Sequence, residues 1–174
     1  MSSPGLRGGS NAKVLYVGQD HAAILFRGVL FMVVQNDPGS DVLQQQAAWI
    51  RQMKAEAPDG SAFLVVLRSD VPPPPEAARV LIKRVFQEFS KVVVAGAMVV
   101  EGKGFVGSAL RSILTMLSMA ARPKYPLRVF SDVSEACEWL VEQLPPRTAC
   151  VPTELVAQIE QARAAYKAGT LRPG

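Results

Sequence analysis

The sequence predicts an α/β fold in which helices pack on a mostly parallel β-sheet. Short, unbroken apolar runs alternate with longer segments of helical periodicity, an order that is typical of strand–helix–strand crossover units. Clusters of Pro, Gly, Asn and Asp separate these segments and indicate turns or helix ends. The first two apolar runs are closely joined, so we expect them to form an antiparallel pair at one edge of the sheet.

Five apolar runs are predicted as strands because they are rich in β-branched and aromatic residues. The internal ones carry almost no polar side chain, as expected of parallel strands that are buried on both faces. A turn of Gln19, Asp20 and His21 follows the first run, and we expect His21 to be exposed there. The predicted strands are Lys13–Gly18, Ala22–Leu30, Ala62–Leu67, Lys91–Val100 and Pro126–Phe130.

Five helices are predicted from apolar residues that recur every three or four positions. Ser131 and Asp132, together with Glu135, resemble a capping box at the start of the fourth helix. The terminal helix has a single narrow apolar stripe and is too short to be stable alone. The predicted helices are Asp41–Ala57, Pro75–Ser90, a third that follows Gly107 and ends near Ala121, Ser131–Leu144 and Thr153–Lys167.

The length and composition predict one domain with terminal extensions. A chain of 174 residues fits a single core, and a hydrophobic fraction of 49% is enough to fill it. Residues 1–12 are Gly/Ser-rich and are expected to be a flexible leader. Residues 13–144 are the expected domain, and residues 145–174 are a Pro-rich linker with a C-terminal amphipathic helix.

Several functional classes are excluded by what the sequence lacks. The net charge of +4 comes from scattered Lys and Arg without interleaved aromatic residues, so no nucleic-acid partner is expected. Cys137 and Cys150 lack the neighbouring ligands of a zinc site, and sparse cysteine use favours the cytoplasm. No apolar run reaches a membrane-spanning length. No phosphate-binding loop, nucleophile elbow or metal-ligand set is recognisable, so we expect no cofactor and no enzyme activity.

The segment RVFSDVSEACEWL, from Arg128 to Leu140, resembles the last strand and helix of small bacterial STAS-like proteins. These proteins are related to anti-sigma-factor antagonists and share a fold with CRAL-TRIO lipid-transfer domains. The resemblance covers about Lys13 to Leu144, mainly through the order of the elements. It implies a four- or five-stranded sheet with helices mainly on one face, and a role in regulated protein–protein contact.

The resemblance also implies a phosphorylation site in regulatory members, at a Ser or Thr before the second helix. At the matching place this chain has Arg68-Ser69-Asp70-Val71-Pro72, so Ser69 is the candidate phosphosite. Its surroundings depart from the family's Asp-Ser-Ser/Thr-Gly pattern, because no second hydroxyl or glycine follows and a run of prolines intervenes.

One face of the third helix is a candidate partner-binding surface. It combines small hydroxyl side chains with arginine, which lets another backbone approach and is typical of interfaces. An ordinary solvated helix face has the same composition, so both interpretations stay open. The residues of this face are Ser108, Arg111, Thr115, Ser118 and Arg122.

The glycine-rich turn before this helix, Gly102-Lys103-Gly104-Phe105-Val106-Gly107, is a candidate anion site. Backbone N–H groups at a helix N-terminus bind phosphate in such turns. The turn follows the fourth predicted strand rather than the first, which favours a simple flexible connection. If an anion binds here, the site comprises Gly102, Lys103, Gly104 and Gly107.

The apolar stripe of the terminal helix is the second candidate surface for a partner. Leu155, Ile159 and Tyr166 lie on this stripe, which must pack on its own domain, a second copy or another protein. The sequence therefore predicts a non-catalytic interaction module in bacterial regulation or scaffolding. Its partner is another protein or a second copy in a homodimer. The alternative is a domain that binds a small ligand, either a lipid or a nucleotide phosphate.

Overall fold

A computed structural model describes residues 12–36, 41–68 and 70–174 of the chain. Among these residues it contains six strands, five α-helices and one 3-10 turn at Pro146–Thr148. The strands are β1 Lys13–Val17, β2 His21–Phe26, β3 Val29–Val34, β4 Ser61–Leu67, β5 Val93–Val100 and β6 Leu127–Phe130. The helices are α1 Asp41–Glu56, α2 Glu76–Phe89, α3 Phe105–Ala121, α4 Val133–Gln143 and α5 Pro152–Lys167.

The strands form one sheet in the order β1-β2-β3-β4-β5-β6. The first three are antiparallel neighbours, whereas β3, β4, β5 and β6 run parallel to one another. The predicted α/β fold, with a mostly parallel sheet, an antiparallel edge and a C-terminal helix, is therefore confirmed. The sheet has six strands among the described residues, one more than the upper limit that the resemblance implied.

The additional strand comes from a hairpin inside the predicted strand Ala22–Leu30. Arg27 and Gly28 adopt φ angles of 46° and 77°, which is the left-handed conformation that two-residue hairpin turns require. Glu56 fixes this turn by accepting a hydrogen bond of 2.7 Å from the Gly28 backbone N–H. The sequence hides the hairpin because apolar residues continue on both sides of the turn. His21 belongs to β2 and is buried, so its expected place in an exposed turn was wrong.

The strand order explains which face each helix covers. The parallel strands follow one another in sequence without reversal, and crossovers of one hand then place their helices on the same face. Helices α1, α2 and α3 accordingly pack in one apolar cluster, on the face of Leu25 and Leu30. Helices α4 and α5 pack on the opposite face, with Ile24 and Phe31. Three of the five helices share a face, but the other face is also covered.

The segment that carries the STAS-like resemblance folds as β6 followed by α4. Asp132 is the N-cap of α4, and its carboxylate accepts a hydrogen bond of 3.0 Å from the Glu135 backbone N–H. Trp139 packs on the Phe130 ring at 5.6 Å between centroids, and the Arg128 guanidinium lies 5.1 Å from the Trp139 ring. The capping interaction and these ring contacts fix α4 against the edge of the sheet.

Candidate functional site

The structure separates the five residues of the predicted α3 surface. Ser108, Thr115 and Arg122 are exposed, Arg111 is half-buried and Ser118 is buried. The prediction was wrong for Ser118, because α3 turns Leu114, Leu117 and Ser118 toward the sheet. These five residues therefore do not form one continuous surface.

The hydroxyl groups of α3 are used within the helix itself. Thr115 Oγ1 donates to the Arg111 carbonyl at 2.9 Å, and Ser118 Oγ donates to the Thr115 carbonyl at 2.8 Å. Ser112 Oγ donates in the same way to the Ser108 carbonyl at 3.0 Å. A hydroxyl group that donates to a backbone carbonyl in the preceding turn of its own helix is less able to donate a hydrogen bond to water or to a partner.

Arg111 is the single charged residue of α3, and its charge is folded back against the helix start. Its guanidinium donates to the carbonyls of Val100 and Gly102, at 2.8 and 3.1 Å, and to Ser108 Oγ at 3.0 Å. Three acceptors therefore hold the side chain close to the end of β5. The outward side of α3 consequently has no free charge between Phe105 and Ala121.

Large apolar side chains lie on that outward side, beside the exposed residues Ser108, Ser112 and Thr115. Phe105 is 87% exposed, Met116 63% and Met119 73%, and Val80 on the neighbouring helix α2 is 63% exposed. We call these four residues the exposed apolar face. Phe105 and Met116 lie eleven residues apart, which is about three helical turns and places them on the same side of α3. Several large apolar side chains exposed on one side of a helix mark an interaction surface more often than isolated ones do.

A groove between α2 and α3 adjoins this face. Its volume is about 670 Å³, and Val80, Met116 and Leu117 contribute apolar surface to it. Arg79 and Lys83 of α2 also line it. The groove therefore combines apolar contacts from α3 with positive charge from α2.

The glycine-rich turn is explained by backbone conformation and close packing. Gly102 and Gly104 have φ angles of 106° and 146°, in the region where a side chain is strained. A side chain at Gly107 would meet the Gly102 carbonyl at 3.3 Å. Residues 102–104 are exposed, and Lys103 with them. The turn thus needs its glycines to place the start of α3, while the anion site stays a prediction.

Helix α5 packs on its own domain. Leu155 and Ile159 are fully buried against α4 and the sheet, and the half-buried Tyr166 donates from Oη to the Gly18 carbonyl at 2.9 Å. Arg163 adds an ion pair with Glu101 at the end of β5. Because Leu155 and Ile159 already belong to the core, the prediction that they bind a partner was wrong for these two residues, whereas for the half-buried Tyr166 it stays a prediction. Ala162 and Leu171 of the terminal segment 145–174 are also buried in this core.

Ser69 lies outside the described residues, so its candidate phosphorylation stays a prediction. Among the described residues, no three His, Cys, Asp or Glu side chains come together in a way that would hold a metal ion. No helix in that part of the chain is long and apolar enough to span a membrane.

His21 is a buried titratable side chain whose two ring nitrogens both lack a hydrogen-bond partner among the described residues. Neither ring nitrogen is bonded, and the ring stacks on Tyr16 at 4.7 Å and meets the edge of Trp49 at 6.2 Å. Burial lowers the pKa of His21 below its ordinary value, against the opposing effect of Asp41 and Asp20. A ring enclosed by aromatic side chains has no substrate path, which favours a structural role.

The sequence contains a signal for the exposed apolar face that apolar periodicity alone does not reveal. The apolar spacing of Val106, Leu110 and Leu117 predicts that Val106 lies on the buried side of α3, yet it is 61% exposed. The useful signal was the rarity of charge, since one charged residue in a helix of 17 does not suit a solvated surface.

Compared with known proteins, the chain matches no family model, no curated protein and no solved structure at a significant level. The STAS-like resemblance therefore stays a prediction.

Proposed function

We propose that this chain is a non-catalytic, STAS-like interaction module in bacterial regulation or scaffolding, and that it binds another protein in the cytoplasm. The docking site is the exposed apolar face together with the groove between α2 and α3. The observation that carries the proposal is the outward side of α3, where large apolar side chains lie in water and the single charge is folded back. Burying these side chains against a partner is favourable by the hydrophobic effect.

The charges beside the groove specify the chemistry of the partner. Arg79 and Lys83 supply two positive charges, and Glu76 supplies one negative charge. An amphipathic helix fits this arrangement if acidic side chains border its apolar stripe, because such a helix fills the groove and complements the basic side. The partner is therefore a protein segment with an apolar, acidic-edged helix.

A photo-crosslinking experiment in cells tests the location of the surface. A benzophenone amino acid replaces Met116 in one variant and Val151 in a control variant. Val151 is apolar and 44% exposed, and it precedes α5 rather than lying on α3. We expect one dominant covalent partner from position 116 and none from position 151. The same adducts from both positions would contradict the proposal. A crosslinked homodimer from position 116 would show that the partner is a second copy of this chain.

Affinity measurements with the purified partner then test the energetics. Met116→Asp places a charge in the apolar contact, and we expect Kd to rise at least about tenfold, as for a residue at the centre of an interface. Arg79→Glu is expected mainly to slow association and to reduce its dependence on salt. Val151→Asp is the matched control and should leave Kd unchanged. Wild-type affinity in Met116→Asp would overturn the proposed docking site.

Small-ligand binding is the second candidate function, and one observation favours a lipid or another hydrocarbon as the ligand. An apolar cavity lies between α2 and the sheet, within the described part of the chain. Binding of a nucleotide phosphate is supported by the glycine-rich turn alone.

A further inference from the structure

An apolar cavity of about 110 Å³ lies between α2 and the sheet, and one side of it is open to solvent. Among the described residues, fourteen side chains line it, and all of these are apolar. Phe63 and Leu67 of β4 form part of its sheet side, while Ala78, Ile82 and Val85 of α2 face it from the helix layer. The cavity therefore lies under α2, on the opposite side of that helix from Val80.

A partly open apolar cavity of this size leaves its lining side chains with fewer contacts than they have in a close-packed core. Protein cores are packed as densely as organic crystals, and few of their voids exceed one water molecule. Water gains little in this cavity, because the lining side chains offer no hydrogen-bond partners. An engineered cavity of about 150 Å³ with a similar aliphatic and aromatic lining stays dry and binds benzene. A hydrocarbon group of comparable size would restore the missing contacts.

We infer that this cavity is a binding site for a hydrocarbon group of about the size of benzene. The group belongs either to a free apolar molecule or to the end of an alkyl chain. Val65 and Leu67 of β4 are only half-buried, and so are Leu81 and Ile82 of α2, so the cavity opens to solvent beside Leu81 and Ile82. A ligand therefore enters beside these two residues. The inference rests on the small-ligand candidate and is independent of protein docking at the exposed apolar face.

The methionines provide built-in reporters for a titration of the native protein. Met32 and Met98 line the cavity, Met53 is buried elsewhere under α1, and Met116 and Met119 lie on the exposed apolar face. Methyl spectra of the protein labelled with ¹³C at methionine are recorded with benzene and, separately, with octanoate. We expect saturable shifts of Met32 and Met98 and unchanged signals from Met53, Met116 and Met119. Shifts with benzene alone would identify the ligand as a free apolar molecule. Tighter binding of octanoate would identify it as the end of an alkyl chain.

A filled-cavity variant tests the location independently. Ala78→Leu places additional carbon atoms in the cavity, whereas Ala77→Leu makes the same change at the exposed neighbouring position of α2. We expect Ala78→Leu to weaken benzene binding at least tenfold and to retain the wild-type melting temperature or raise it. Ala77→Leu should bind benzene as the wild type does.

Two results of the native titration would overturn the inference, even if Ala78→Leu does not fold. One is the absence of any shift of Met32 and Met98 at saturating benzene and octanoate. The other is a set of shifts that also includes Met116 and Met119, which indicates non-specific association with the surface. Met116 and Met119 report separately on the exposed apolar face. If no ligand binds in the cavity, the protein-docking proposal is therefore still tested by crosslinking and by the affinity measurements.

Discussion

Substitution of Leu155 by alanine tests whether α5 is part of the core. The side chain is fully buried among residues of α4 and the sheet. Leu→Ala removes three carbon atoms, and the lost transfer free energy is about 2.4 kcal/mol at about 0.8 kcal/mol for each one. The cavity that remains raises the expected loss in the free energy of unfolding to about 3–5 kcal/mol.

Urea denaturation followed by circular dichroism measures this loss directly. The midpoint should fall without a change in slope, and the melting temperature should decrease by about 10 °C for a chain of this length. Val151→Ala is the control at the start of the same helix, because Val151 is 44% exposed. We expect this control to change the free energy of unfolding by less than about 0.5 kcal/mol.

A loss below about 1 kcal/mol in Leu155→Ala would refute the reasoning. It would mean that the apolar stripe of α5 does not contribute to the core in solution. The stripe would then be available to a partner, as the sequence pattern alone allowed.

Three further perturbations probe individual side chains. Burial lowers the pKa of His21 below its ordinary 6.5, so the unfolded chain takes up a proton that the folded chain does not. The free energy of unfolding should therefore fall as pH decreases below about 6.5, and His21→Phe should reduce that slope in urea titrations at several pH values. Asp132→Ala removes the bond to the Glu135 N–H and should cost about 1 kcal/mol in the same assay, whereas no effect would exclude a stabilising cap. Burial raises the pKa of Cys137 to about 12 and that of Cys150 to about 11, so both thiols should react slowly with iodoacetamide at pH 8 until urea unfolds the chain.

The order of the elements was predictable because each has its own periodicity or its own breakers. Buried strands such as β4 and β5 are short apolar runs, and α2 begins directly after a run of prolines. The hairpin between β2 and β3 was not predictable by the same means. The Arg27-Gly28 turn interrupts an apolar run without a polar cluster, and an arginine with a φ of 46° is not a recognised turn signal.

The candidate site was predictable only in outline. The sequence identified α3 as a surface helix, but an error of one residue in its orientation moves a side chain by about 100° around the axis. That error exchanged the environments of Val106 and Ser118. The surface on which α5 packs was not predictable, because an amphipathic stripe must pack on some apolar surface but does not specify which one. The cavity under α2 depends on side-chain packing across six elements, which no local pattern describes.

The two proposed sites share one helix. Val80 and Lys83 of α2 face the groove, while Ala78 and Val85 face the cavity. A ligand that enters beside Ile82 and a protein that docks in the groove therefore contact opposite sides of the same fourteen-residue element. If the ligand displaces α2, it changes the affinity for the protein, and the protein must then change the affinity for the ligand by the same factor. Because α5 is fixed in the core by Leu155, such coupling acts within the α1–α3 layer, where both sites lie.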